Sequence, residues 1–185
     1  MKFEHWQEGL YGDISHYDEK NIEAKNERTR ILTMLVNDLS PALNSEQKEL
    51  MTVCEWGCNT GRNLLPFYYS GYKIAGYDIN KEALTTAARR MFGGHINHFH
   101  RVDLYNDVEL LDTIPVDVYD FSITMGFLMH IPKGKKKTKL IKSIIRSSKR
   151  TIFYEPIGNL ERTEENGWHL SLEDYGVYSK KLTLM

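Results

Sequence analysis

The sequence predicts an α/β fold, a three-layer sandwich around a mostly parallel sheet, and three observations predict it. Short apolar runs alternate with longer amphipathic or charged stretches. The first such run breaks at once into a glycine-containing turn, as a strand does where it feeds a helix. Neither an internal repeat nor a low-complexity linker interrupts the pattern, so the 185 residues read as one domain, residues 1–185, around one core.

Asp18 to Leu39 carry Ile22, Ile31, Leu32, Leu35, Val36 and Leu39 near helical spacing and stop at Ser40-Pro41, which predicts a leading helix. Met51 to Glu55 is short and β-compatible, and Lys73 to Ile79 repeats it, giving the first two parallel strands. Between them Arg62 to Ser70 reads as helix with Gly71 as its stop, and Lys81 to Phe92 as the next helix, ended by Gly93-Gly94. Phe99 to Val102 is the third strand, Tyr119 to Thr124 the fourth, Thr138 to Ser148 a helix and Arg150 to Tyr154 the fifth strand. Residues 1–45 thus form a leading segment, 50–156 the core and 157–185 a short tail. Tyr175 to Met185 could supply one more strand but hardly a pair, so the sheet is expected to be shortened at its C-terminal edge. That edge is expected either to be covered by a second copy, as a homodimer, or to leave an open acceptor pocket.

Composition narrows the partners. With 24 basic against 25 acidic residues the formal net charge is −1, and no global field recruits nucleic acid or an anionic membrane. The amino terminus lacks the apolar stretch of a signal peptide and no segment approaches a membrane span, so a cytoplasmic location is expected. Cys54 and Cys58 suggest neither a disulfide framework nor a zinc site and read as reduced thiols.

Glu55-Trp56-Gly57-Cys58-Asn59-Thr60-Gly61 stands where the first strand turns into a helix, the place where open α/β sheets bind ligands. Gly57 and Gly61 let the backbone turn sharply and approach a ligand, and asparagine is the next best residue for positive φ at position 59. A glycine pair alone fits a plain tight turn equally well. Asp78 ends the second strand 17 residues after Gly61, beside that turn, where a carboxylate can accept both hydroxyls of a ribose. Asp103, after the third strand, could accept from an exocyclic amine while Leu104 packs on a purine face. Three acidic strand ends suit a nucleoside without phosphates, because a phosphate would want lysine or exposed helix amides.

These residues resemble the class I S-adenosylmethionine-dependent methyltransferases, a Rossmann-like family, over about Thr52 to Pro156. Its glycine-rich turn, ribose-binding acid and adenine-side Asp-Leu look like Glu55 to Gly61, Asp78-Ile79 and Asp103-Leu104, with Asn59 standing where glycine is common. The segments Phe121 to Pro132 and Arg150 to Pro156 further resemble the methylases associated with pseudaminic acid biosynthesis. So do Trp6, Gly9, Tyr11, Gly12, Tyr17 and Asn21, an aromatic opening that the resemblance implies is a lid over the cofactor. It implies S-adenosylmethionine as cofactor, held by Glu55, Gly57, Cys58, Asn59, Gly61, Arg62, Asp78, Ile79, Asp103, Leu104, Met125 and Gly126, with Arg62 on the methionine carboxylate. The implied activity is methyl transfer to a small-molecule acceptor, a carbohydrate being one candidate. A silent S-adenosylmethionine-binding scaffold is the alternative.

Methyl transfer from a sulfonium needs alignment more than chemistry from the protein. An acceptor hydroxyl or ammonium still needs a base, and His130 and Glu155 are the candidates. Each has a plainer reading, His130 as a turn-orienting residue and Glu155 as a structural hydrogen-bond acceptor. His95, His98 and His100 bring no carboxylate partner and read as solvated, so no metal is expected. The basic run Lys133-Gly134-Lys135-Lys136-Lys137, with Lys139, Lys142, Arg146, Lys149 and Arg150, could hold an anion, but an exposed helix face explains it as simply. Without interleaved aromatics, nucleic acid is disfavoured. Trp56, Phe67, Tyr68 and Tyr69 read as core and helix packing, Trp56 also being able to touch ligand. A nicotinamide oxidoreductase would want Gly-x-Gly-x-x-Gly, which the turn lacks.

Overall fold

A computed structural model describes residues 22–39, 44–94 and 98–156. The aromatic opening, His95 and the strand expected at Tyr175 to Met185 lie outside the described residues.

Five parallel strands form the sheet: β1 Thr52–Trp56, β2 Lys73–Asp78, β3 Phe99–Arg101, β4 Tyr119–Met125 and β5 Ser148–Tyr154, in the order β3-β2-β1-β4-β5. The helices are α1 Ile22–Leu39, α2 Ser45–Lys48, α3 Leu65–Tyr69, α4 Lys81–Phe92 and α5 Lys135–Arg146. Each of the five strands expected between Met51 and Tyr154 is present within two residues of its predicted bounds, because an apolar β-prone run bounded by glycine or charge has little else to become. Helix bounds moved further. Arg62–Leu64 is a 3-10 turn ahead of the short α3, with Pro66 inside the first turn of α3. The last helix starts at Lys135, three residues earlier than expected, after Gly134 at φ 143, and yields to β5 two residues earlier.

Alternation along the strands feeds two cores, one on each face. Val53, Ile74, Phe121, Ile123 and Ile152 face Leu32 and Val36 of α1, Phe67 of α3 and Leu84, Ala87, Ala88 and Met91 of α4. Cys54, Trp56, Ala75, Tyr77 and Tyr119 face Leu140, Ile141 and Ile144 of α5, together with Leu104, Val108 and Leu111. Trp56 is fully buried, stacked on Tyr77 at 4.4 Å, with its Nε1 donating to Ser122 Oγ. Phe67 is core as expected, whereas Tyr69 is 75% exposed: it follows Phe67 by two positions and so turns off the buried face of α3. Both cysteines are buried free thiols, which burial pushes to higher pKa. No described helix is long and apolar enough to cross a membrane.

Strand order reverses at β1, which has β2 on one side and β4 on the other. A crevice opens at the carboxyl ends of the strands at such a switch point.

Candidate functional site

The register brings the strand ends level: Trp56 lies opposite Tyr77 and Thr124, Asp78 opposite Arg101, and Met125 opposite Tyr154. The loops that follow are therefore neighbours, and together with the strand ends Glu55 and Asp78 they carry the candidates of the central motif.

After β1 the chain bends through three left-handed residues, Gly57 at φ 73, Asn59 at φ 49 and Gly61 at φ 69. Asn59 thus takes the conformation for which asparagine is suited. Amides of Gly57 and Cys58 both donate to Tyr77 O, tying the turn to β2. Asp78 continues that tie. Its Oδ2 accepts from the Asn59 amide at 2.8 Å and its Oδ1 from the Asn80 amide at 2.8 Å. Burial raises the Asp78 pKa, partly offset by those amide bonds.

Beneath the turn, Glu55 is 1% exposed on the face of β1 that looks toward α1. Its Oε1 accepts from Asn63 Nδ2 at 2.6 Å, whose own Oδ1 accepts from the Thr29 hydroxyl at 2.8 Å. Oε2 is buried without a hydrogen-bond partner in the described structure. Burial pushes the Glu55 carboxyl up to about 8, with Asn63 and the nearby Arg62 pulling it down and Asp78 pushing it further up. Glu55 and Asp78 are thus electrostatic neighbours. Asp103 is engaged locally: its oxygens accept from the amides of Tyr105 and Asn106 and from Asn106 Nδ2, shaping the turn that buries Leu104.

The loop after β4 is held from two sides. Glu155, just past β5, accepts the Phe127 amide on Oε1 at 3.0 Å and the Leu128 amide on Oε2 at 3.1 Å. Lys137 reaches the next peptide from α5, its Nζ donating to Leu128 O at 2.7 Å while the residue is 1% exposed. Burial and the Lys137 charge press the His130 pKa down to about 4, so its imidazole is neutral at pH 7. Gly126 stands at φ 62 with open space where a Cβ would lie, and Phe127 packs its ring directly on Gly57.

Lys137 corrects the reading of the basic run as one exposed face. Positions 137, 140, 141 and 144 form a single buried stripe, a spacing that could have singled it out. Other cations in the run serve the fold: Lys139 pairs with Glu109 and Asp112, Lys136 meets Asn106 and lies over the Tyr105 ring, Arg146 donates to Leu111 O and Lys149 pairs with Asp120. His98 stacks on Phe92 and His100 on Tyr77. Thr29 and Asn63 belong to no motif read from the sequence, and Phe127 lies in the segment Phe121 to Pro132 with no role of its own assigned there.

A methyltransferase-domain profile matches residues 24–175. The chain belongs to the methyltransferase-domain family. No curated protein sequence matches it significantly. Solved structures give the same Rossmann-like fold. A SAM-dependent methyltransferase from Archaeoglobus fulgidus aligns with TM-score 0.54 at 17% identity over 74% of this chain and 54% of that one. The sugar N-methyltransferase KedS8 from Streptoalloteichus sp ATCC 53650 gives 0.58 at 14% over 82% and 57%, and monomeric WbdD gives 0.62 at 16% over 82% and 36%. This methyltransferase-domain chain therefore spans just over half the length of the first two and about a third of the last.

Proposed function

We propose that this methyltransferase-domain protein binds S-adenosylmethionine across the ends of β1, β2, β3 and β4 and passes its methyl group to a small-molecule acceptor. The observation that carries the reading is Glu55 Oε2, a buried carboxyl oxygen with no hydrogen-bond partner among the described residues, under a left-handed turn. Such an orphan is costly and is relieved by a cationic donor. The ammonium of a methionine portion is that donor, and Arg62 on the 3-10 turn suits its carboxylate. Each Asp78 oxygen already takes one backbone amide and keeps a further acceptor site, which suits ribose hydroxyls. Asp103 and buried Leu104 serve the adenine side, with Gly57, Cys58, Asn59, Gly61 and Ile79 around the nucleoside and Met125 and Gly126 along the methionine portion.

The cofactor supplies an already activated methyl group, so the chain's task is to orient the acceptor and exclude water. We assign His130, kept neutral by burial and Lys137, the role of accepting a hydrogen bond from the acceptor's hydroxyl or amine. Glu155 spends an oxygen on each of two loop amides and holds that loop in place. The resemblance of Phe121 to Pro132 and Arg150 to Pro156 to the methylases associated with pseudaminic acid biosynthesis supports a carbohydrate acceptor. We take the protein to act in the cytoplasm, with its dimer state to be read by light scattering.

Calorimetry with S-adenosylhomocysteine and NAD tests the cofactor: the first is expected to bind and the second not. Labelled S-adenosylmethionine with fractionated host metabolites then tests transfer. Tight cofactor binding with no labelled product in any fraction defeats the enzyme reading in favour of a scaffold.

A further inference from the structure

Thr29, Asn63 and Glu55 make a buried polar chain through an otherwise apolar region. Their exposures are 7%, 8% and 1%, and Leu32, Val36, Leu64 and Phe67 of the same core are fully buried. The chain has a direction. Thr29 on α1 donates its hydroxyl to Asn63 Oδ1 at 2.8 Å, across 34 residues of sequence, and Asn63 Nδ2 donates to Glu55 Oε1 at 2.6 Å. A side-chain amide suits the middle position because it accepts on one side and donates on the other. Its effect on Glu55 is specific: Oε1 is committed, the carboxylate plane is fixed, and Oε2 is left for whatever arrives. The paired atoms of this chain offset their burial, but Glu55 Oε2 does not, and packing alone gives no reason to bury a carboxyl oxygen that the network leaves unpaired.

We propose that Thr29 and Asn63 are positioning residues through which α1 sets the Glu55 carboxylate for the amino-acid portion of the cofactor, so that they select ligands carrying an α-ammonium group. The proposal rests on the reading that Glu55 Oε2 receives that ammonium. It assigns a functional task to α1, which contributes no residue to the glycine-rich turn. The charged groups that face Glu55 are Arg62 on the 3-10 turn and Asp78 at the end of β2, with the Cys54 and Cys58 thiols beside it, neutral because burial raises them. Asn63 favours the ionised carboxylate, so its removal leaves Glu55 ionising at higher pH.

The test compares two ligands that share the nucleoside and differ in the amino-acid portion: S-adenosylhomocysteine and 5′-methylthioadenosine. Calorimetry is run on the wild type, Asn63→Leu, Thr29→Val and Thr29→Ser between pH 6 and 9. Asn63→Leu is expected to weaken S-adenosylhomocysteine about tenfold or more while methylthioadenosine stays within about twofold. The rising limb of S-adenosylhomocysteine affinity with pH is expected to move upward. The ligand's own ammonium titrates identically against every variant, so the difference belongs to the protein. Thr29→Val, which keeps shape and loses the hydroxyl, is expected to give a smaller loss of the same kind, about threefold, and Thr29→Ser to restore it. It also serves if Asn63→Leu fails to fold. Equal loss of both ligands, or no loss of either, overturns the relay. A wild type that binds both ligands equally overturns the placement of the ammonium at Glu55, and the relay with it.

Discussion

The carboxylate of Asp78 accepts the backbone amide of Asn59 at 2.8 Å, joining the end of β2 to the left-handed turn after β1 across 19 residues of sequence. The same side chain takes the Asn80 amide, and Asn80 in turn caps α4 through the amides of Glu82 and Ala83. One residue therefore shapes two loops of the crevice.

Asp78→Ala is expected to weaken S-adenosylhomocysteine at least tenfold, and also to leave two loop amides without their partner. A stability loss of about 2 kcal/mol follows, or a melting point lower by roughly 4–8 °C. Asp78→Asn, which keeps one carbonyl acceptor, should fall between. Calorimetry and thermal melts on both variants check the pair, and an Asp78→Ala protein with wild-type affinity contradicts the ribose assignment.

Gly57 makes a second prediction. Its φ of 73 disfavours a side chain, and an added Cβ would stand 2.8 Å from the Phe127 Cβ and closer still to its ring. Gly57→Ala should cost about 2–3 kcal/mol. Phe127→Ala in the same chain should recover the part of the clash due to the ring, leaving the Cβ–Cβ contact and the backbone part. A double-mutant cycle from denaturant melts reads the coupling, and additive losses would show that the ring does not limit the turn.

Stability of the cofactor-free protein should depend on pH through Glu55. Its carboxyl is raised from 4.5 to about 8, so the folded state favours the neutral form. The contribution is full below about pH 4.5 and is lost as pH rises toward 8, by at most roughly 5 kcal/mol. Glu55→Gln should lack that decline. The difference between the two melting profiles isolates Glu55 from Asp78 and Glu155, which burial also raises. Parallel profiles from pH 4.5 to 8 would refute the assignment.

Lys137→Met should destabilise the loop after β4 by about 3 kcal/mol or more, because Glu155 and the Leu128 carbonyl lose a buried cation. It should also raise the His130 pKa above its present value of about 4, since the Lys137 charge is one of the two causes holding it down. An NMR titration of the imidazole reads this directly, and Lys137→Arg, which retains the charge, should shift it less.

Much of this was legible because local chemistry forced it. The strand ends and the turn Glu55 to Gly61 follow from apolar runs that break at glycine, as after β1 and β4, or at charge, as in β2 and β3, and the bounds of Lys81–Phe92 follow from Asn80 and Gly93, which cap it. Lys137 was hidden by its neighbours, since a lysine among lysines reads as solvated until the stripe it shares with Leu140 and Ile141 is counted. Thr29 and Asn63 were invisible for another reason: they meet across 34 residues, and no local pattern encodes such a pairing. Glu155 was noticed in sequence, but only the fold reveals the Phe127 and Leu128 amides that engage it.

The order of strands also governs how the chain can assemble. Every ladder among the described residues is parallel, and central β1 pairs with β4 through residues such as Val53 and Phe121, while Trp56 finds Ser122 Oγ 66 positions downstream. No hairpin joins the described strands, and each of their pairings must close a long loop before it gains contacts. On a ribosome, β1 would wait with β2 as its sole neighbour until Met125 had cleared the exit tunnel, leaving one flank of the future crevice unpaired and adhesive during synthesis.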